Sequence, residues 1–505
     1  MMSSLRLAIS TFALAASLPV LHAQTAPAAE AMPLTLEMCV TRALEQNFDV
    51  SIQRISTSSA SNDVELAKAS YDPTFSATTA RSYSKTAPDP TIAGSAIKSE
   101  AQATDLAVSQ KIVTGATVTA RGALDRNNRI SGTTSSGLTG VNGLNPSYLG
   151  DVSLRISQPL LKGAGPGVNR AAIRRARLGV ERANFDLKGT VLSVIRSVEA
   201  AYYNVAFARE QREVRRFSLA VAQKLLEENK VRRSTGVTTD LEVLQSEVGV
   251  ATAQRNLVLS EQTVHDNEDA LLQLIGRFEF DQQLGPIKLI TDTTAPEVSF
   301  DKSYKLARDN TPEFLSSQRY IEQLKLDLKV NKNQKLPGVD LGGGVGYTSE
   351  ERSYRDASRE VWAGKGYNWQ VDLTVSVPWK FRAANASYRQ AQLALNREQT
   401  RLQQLDQNIL VDVRTAIRSV ETNLETVRLS QLSTELSLKQ FEQEKARYEA
   451  GLSTFRFVQQ SQATYDDARV SELQARVNLR IALAELSRLE GSSLQHYNVV
   501  LAQTK

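Results

Sequence analysis

The sequence predicts a mainly α fold with a β part: long antiparallel helical hairpins, plus strands that contribute to an oligomeric β-barrel, all built on an internal two-fold duplication. Three observations predict it. Proline is missing from two long stretches, 167–285 and everything after Pro378. Runs of alternating apolar and polar residues precede those stretches. The second half of the chain repeats the pattern of the first.

The N-terminus reads as an address. Arg6 gives a positive start, 7–21 is an apolar run, and Ala23 offers a small residue before Gln24. Residues 1–23 are expected to be a signal peptide, with the mature chain beginning near Gln24. His22 leaves with it, so His265 and His496 are the two histidines that remain, far apart in sequence. The single cysteine, Cys39, excludes an internal disulfide and a cysteine-based zinc site. It reads as a small buried hydrophobe. With no nucleophile motif and no histidine cluster, the chain is read as no enzyme, with no metal and no cofactor. A net charge of +5 on 60 basic and 55 acidic residues gives no argument for nucleic acid. Hydrophobic residues at 41% exclude a mostly disordered chain. Beyond the N-terminus no run of 18 apolar residues predicts a spanning helix.

The repeat is visible in register. LTLEMCVTRALEQNFDV at 34–50 lies over VSFDKSYKLARDNTPEF at 298–314, an offset of 264 that also relates Pro73 to Pro337. Further on the offset is 215, relating Gly236 to Gly451 and Gly276 to Gly491. There RRSTGVTTDLEVLQS sits over RYEAGLSTFRFVQQS without a gap. The first copy therefore carries 49 more residues between its helices. The expected division is a first repeat at 24–297, a second at 298–491 and a tail at 492–505. Each copy reads helix, strands, very long helix, glycine turn, shorter helix.

The proline-free stretches permit uninterrupted helix at 168–234 and at 383–449. At 1.5 Å per residue each is about 100 Å long, too long for an ordinary globular domain. Leu402, Leu405, Ile409, Val413, Ile417, Val420, Leu424 and Val427 step by three or four, a seam for packing on another helix.

The strands alternate strictly. In 367–377, Trp369, Val371, Leu373, Val375 and Val377 interleave with Asn368, Gln370, Asp372, Thr374 and Ser376. Val339, Leu341, Val345 and Tyr347 do the same with Asp340, Gly342, Gly344 and Gly346. In the first copy strands are expected at 74–84 and 149–158. A face this polar suits a water-filled lumen with lipid outside; it would also suit a soluble sandwich, which the long helices and the signal peptide disfavour. The GGGVG run at 342–346 follows no strand and opens no helix, so it is no phosphate loop. Residues 104–112 and 116–124, around Thr114 and Gly115, read as an extra strand pair that either widens the barrel or stands apart. Residues 127–146, rich in Gly, Ser, Thr and Asn, read as an extracellular loop. So few strands cannot close a barrel, and open edges are costly in lipid, so a homo-oligomer follows.

Several stretches together resemble the TolC family of outer-membrane efflux proteins over nearly all of the mature length. They are LTLEMCVTRALEQN, SQPLLKGAGPGVNRAAIRRA, VEAAYYN, the paired glycine turns, and LLQLIG with LSRLEG. The resemblance implies a homotrimer, with a β-barrel in the outer membrane and a helical tunnel across the periplasm. It implies an exit duct for an inner-membrane pump, joined through a periplasmic adaptor. It also places adaptor docking at the two helix turns: Thr235, Gly236 and Val237, and Gly451, Leu452 and Ser453. Both glycines are equally the C-caps that a helical hairpin needs. Polar links at the closed entrance map to Glu242, Tyr448 and Arg476, although Thr239 and Glu242 also read as a capping box. Lys230, Arg232, Arg233, Lys445 and Arg447 suit the helix dipole. Where family members place two aspartates, this chain has Phe457 and Gln460, which puts an acidic cation gate in doubt. The competing reading is a secreted structural or adhesive coiled-coil stalk.

Overall fold

The computed structural model describes residues 34–85, 96–131, 146–276, 285, 287 and 299–499. The expected signal peptide, most of the expected 127–146 loop, the 297/298 boundary and the end of the tail lie outside the described residues.

The first copy opens with α1 (Leu36–Gln46) and α2 (Phe48–Ala69). Four strands follow: β1 (Thr74–Lys85), β2 (Ala96–Lys111), β3 (Thr117–Ser131) and β4 (Ser147–Pro159). A short turn, α3 (Pro166–Asn169), leads into α4 (Ala171–Ser234), and α5 (Asp240–Ile275) returns alongside it. The second copy has α6 (Phe300–Asn310), α7 (Pro312–Asn333), β5 (Gly338–Glu351), α8 (Tyr354–Ala363), β6 (Tyr367–Ser376), α9 (Arg382–Glu449) and α10 (Phe455–Glu490). A short α11 (Ser493–His496) follows.

The duplication is structural. α2 and α7 have 22 residues each, and α5 and α10 have 36 each. Both opening helices break at equivalent positions, where Asn47 (φ −64, ψ 134) and Thr311 (φ −61, ψ 116) are extended. The chemistry of the two restarts differs. Asn47 Oδ1 accepts the backbone N–H groups of Asp49 and Val50, whereas Pro312 at the first helical position brings no N–H to satisfy.

One expected helix is shorter than the proline gap allowed. The run from Val168 is broken at Arg170, and α4 begins at Ala171. The Tyr71 hydroxyl donates to the Asn169 carbonyl at 2.7 Å, and Asn169 Nδ2 donates to the Gly163 and Gly165 carbonyls. These contacts turn the helical entry toward the root of β1. At 64 and 68 residues, α4 and α9 still span about 100 Å.

Ile409, Val413, Ile417, Val420 and Val427 of the expected seam are buried with Ala475, Leu479, Ala482 and Leu486 of α10. Leu424 is the exception, at 40% exposed. A second core gathers Cys39, Val40 and Ala43 of α1 with Ile195, Val198, Leu271 and Leu272. Burial there pushes the Cys39 thiol up to about 11, which leaves it inert.

The strands form a single antiparallel meander in the order β1-β2-β3-β4-β5-β6. The extra pair is therefore part of this sheet, between β1 and β4, and accounts for the longer insert of the first copy. α8 was not foreseen. Ser353 caps it by accepting the Asp356 N–H, and Gly364 ends it at φ +68.

Candidate functional site

The sheet has two chemically distinct faces. Across all six strands Thr74, Ser109, Thr119, Arg155, Gly344 and Gln370 are paired in one row. The adjacent row, pointing to the other side, is Phe75, Val108, Ala120, Leu154, Val345 and Trp369. The polar face carries ion pairs: Arg155 to Asp372 at 2.8 Å, and Arg121 to both Asp105 and Asp151. A Cβ at Gly342 would collide with the Asp372 carboxylate. The glycine run in β5 thus clears room for a carboxylate to reach across to β4. The apolar face stays open, with Val345 at 59% and Trp369 at 70% exposed.

At the other end of the long helices lie the two turns. Gly236 (φ +76) and Gly451 (φ +77) are left-handed, as glycine readily is. The Gly236 N–H donates to the Arg233 carbonyl and the Val237 N–H to that of Arg232. Gly451 to Tyr448 and Leu452 to Arg447 repeat the pattern, so both are Schellman caps. Such caps usually pack the apolar residue after the glycine on the helix. Here the helix offers Arg232 and Arg447, and Val237 and Leu452 are each 72% exposed. Thr235 Oγ1 donates to the Arg232 carbonyl, and Ser453 donates to Glu444.

Tyr448, expected at the entrance, joins the two hairpins. Its hydroxyl donates to Asn229 Oδ1 at 2.5 Å, Asn229 Nδ2 donates to Ser246 Oγ at 2.7 Å, and Ser246 donates to the Glu242 carbonyl. The Arg232 guanidinium lies 4.6 Å from the Tyr448 ring centroid and reaches its carbonyl. Burial raises the Tyr448 phenol, so it stays a neutral donor. Leu225, Phe441, Phe455 and Val458 close the cluster around it.

Other expectations fare differently. The Glu242 carboxylate accepts from Thr238, not Thr239, whose side chain makes no cap bond; the capping box is corrected, because the residue one place earlier reaches the carboxylate first. Arg476 pairs with Glu472 at 2.7 Å, well along α10, and does not meet Glu242 or Tyr448 within this chain. Phe457 is 55% exposed and Gln460 is exposed one turn on, so Phe457 is not packed sideways in the protomer. Of the cations near the turns, Arg233 pairs with Asp240, Arg447 with Glu444 and Lys445 with Glu449. His265 lies on α5 and His496 on α11. Sequence reasoning missed Asn229 and Ser246, since one polar residue on a long helix looks the same whether it faces water or a partner.

Comparison with known proteins decides the family. The model of the family described as outer membrane efflux protein matches residues 39–277 and 303–492.

The chain belongs to the outer membrane efflux protein family.

Among other members, it is 25% identical over 328 residues to the pyoverdine export outer membrane protein OpmQ of Pseudomonas aeruginosa, covering 63% of this chain. The match spans 66% of that relative, just under two thirds of its length. It is 24% identical to the outer membrane protein TolC of Escherichia coli over 37% of each chain. Its fold is shared with CusC (TM-score 0.68, 12% identity, 91% of this chain and 93% of that one). It is shared also with the CmeC outer membrane channel of Campylobacter jejuni (TM-score 0.66, 16% identity, 92% and 89%). Family membership makes this an outer-membrane efflux protein with a periplasmic helical extension. Among the described residues no helix is long and apolar enough to cross a membrane.

Proposed function

We propose that three copies of this chain form an exit duct, with one shared β-barrel in the outer membrane and one helical tunnel below it. The observation that carries this is the six-stranded sheet with a charged face, an apolar face and two edges, β1 and β6, that are unpaired among the described residues. Unpaired backbone in lipid costs several kcal/mol per group; pairing β6 of one copy with β1 of the next removes every edge. The polar face then lines water and the apolar face meets acyl chains. A further support is the apolar stripe of Leu241, Leu244 and Val248 on α5, each more than half exposed. Such a stripe awaits another helix.

At the tips, Val237 and Leu452 are exposed apolar knobs on rigid glycine caps, suited to an adaptor's helical hairpin. An inner-membrane pump would deliver cargo, small molecules or proteins, through that adaptor. Phe457 and Gln460 replace an acidic ring with an uncharged constriction near the entrance, which closes by dewetting, while Glu242, Tyr448 and Arg476 supply polar links. A coiled-coil stalk would need neither the charged sheet face nor the apolar one. Native mass spectrometry of the detergent-purified protein tests the assembly. A trimer is expected; a stable monomer would overturn it.

A further inference from the structure

α2, α3, α7 and α9 all meet the sheet at one end, and the apolar face runs out there. Its last members are Leu160, Val377 and Trp379, exposed at 46%, 57% and 96%. A fully exposed tryptophan at the limit of an apolar band is what a membrane–water interface favours. Four exposed lysines follow directly: Lys162 after β4, and Lys329, Lys332 and Lys335 at the end of α7, just before β5.

The backbone holds these lysines together. The Leu160 N–H donates to the Val339 carbonyl at 2.7 Å and the Lys162 N–H to that of Pro337 at 3.3 Å, so the β4–β5 register persists past both strands. Alternation then carries Leu160 and Lys162 onto the face of Leu154 and Ile156. Asn333 ties the end of α7 to the same place: its Oδ1 accepts the Gly163 N–H at 2.7 Å, and its Nδ2 donates to the Leu161 carbonyl at 3.1 Å. The Lys329 ammonium lies against the α3 turn, where a Cβ on Gly167 would come within 3.0 Å of it. The Lys335 ammonium sits 4.7 Å from the Tyr388 ring centroid.

None of the four makes an ion pair among the described residues. The nearest acid on α7, Asp327, is taken by Arg175 at 2.7 Å. Asp340 belongs to the polar row of β5, and Asp72 lies at the root of β1, three strands from β4. The β4–β5 seam is inside the sheet, so a neighbouring copy pairing at β1 or β6 meets other residues. Unpaired ammonium groups bordering an exposed apolar face suit an anion that carries an apolar body.

We propose that this rim binds the phosphodiester headgroups of anionic glycerophospholipids in the periplasmic leaflet, their acyl chains lying on the apolar face above it. This rests on the sheet being a barrel wall.

Tryptophan fluorescence tests both layers. Trp379 is one of three tryptophans, so Trp362→Phe with Trp369→Phe leaves it as the only one, beside the lysines. The full-length oligomer is reconstituted in bilayers of phosphatidylcholine with brominated acyl chains, which quench tryptophan on contact. Unbrominated phosphatidylglycerol is then added in increasing mole fraction. Quenching should be relieved well ahead of that mole fraction, a preference of about fivefold or more at low salt, shrinking in about 0.5 M salt. Lys162→Gln with Lys332→Gln and Lys335→Gln should abolish the preference and keep the quenching. Lys224→Gln with Lys230→Gln, near the tips, should change neither. Relief in proportion to mole fraction in the wild type, a preference retained by the triple variant, or loss of the preference on adding millimolar glycerol phosphate, which would mark a site for free phosphate, would each overturn the proposal while leaving the barrel intact. A Trp379 that brominated lipid does not quench at all would overturn the barrel reading and this proposal with it.

Discussion

The Tyr448 hydroxyl sits at the head of a chain of donors running through Asn229 and Ser246 to the Glu242 carbonyl, and Asn229 is fully buried. Tyr448→Phe leaves the Asn229 amide oxygen without its donor, a loss of about 1–3 kcal/mol. A lowered thermal unfolding midpoint checks it; no change would show that water replaces the hydroxyl. Asp466 behaves in the opposite sense. Its native pKa is raised by burial, so its favourable contribution is full below the ordinary carboxylate value of about 4 and is lost as pH rises through the raised value. Asp466→Asn should therefore match the wild type in acid and unfold at a higher temperature at neutral pH. At Phe457, replacement by Asp should create block by a trivalent cation added from the periplasmic side. Single-channel recording decides, and strong block of the wild type would place the cation site on carboxylates elsewhere, such as Asp467. The glycines of the tips were legible in the sequence because a left-handed turn leaves few alternatives to glycine. Asn229, Ser246 and Asp466 were not, because burial of a polar residue is decided by which helix packs over it.

The helical elements repeat at two fixed offsets, and the structure keeps both: α2 and α7 end before strands that follow Pro73 and Pro337, and α5 and α10 begin six residues after the ends of α4 and α9. That much follows from turn residues and the absence of proline. The break at Arg170 does not, since it depends on Tyr71 reaching Asn169 from 98 residues away. Nor does α8, ten residues with mixed charges inside what reads as a strand connection. The two Schellman turns are the elements on which the proposed docking rests. A Cβ at Gly236 or Gly451 meets nothing within 4 Å, so substitution strains only the backbone, by about 1–2 kcal/mol. Gly236→Glu or Gly451→Glu should leave barrel insertion intact while reducing export and adaptor crosslinking. Unchanged export and crosslinking in both variants would remove the docking role from these turns.

At the scale of the whole molecule, the sheet and the helices make one continuous argument. The strand alternation gives each face its solvent, the ion pairs Arg155–Asp372 and Arg121–Asp105 commit one face to water, and the unpaired edges demand neighbours. The extra hairpin β2–β3 contributes two of the six strands, so each copy would bring six strands, not four, to the proposed barrel wall. The central claim is that this wall encloses a water-filled path continuous with the helical tunnel. The most direct test is the conductance of the purified oligomer in a planar lipid bilayer. Discrete, long-lived single-channel steps are the predicted result; protein that associates with the bilayer as an intact oligomer yet passes no current under any applied voltage or tip mutation would contradict the account and favour a structural stalk.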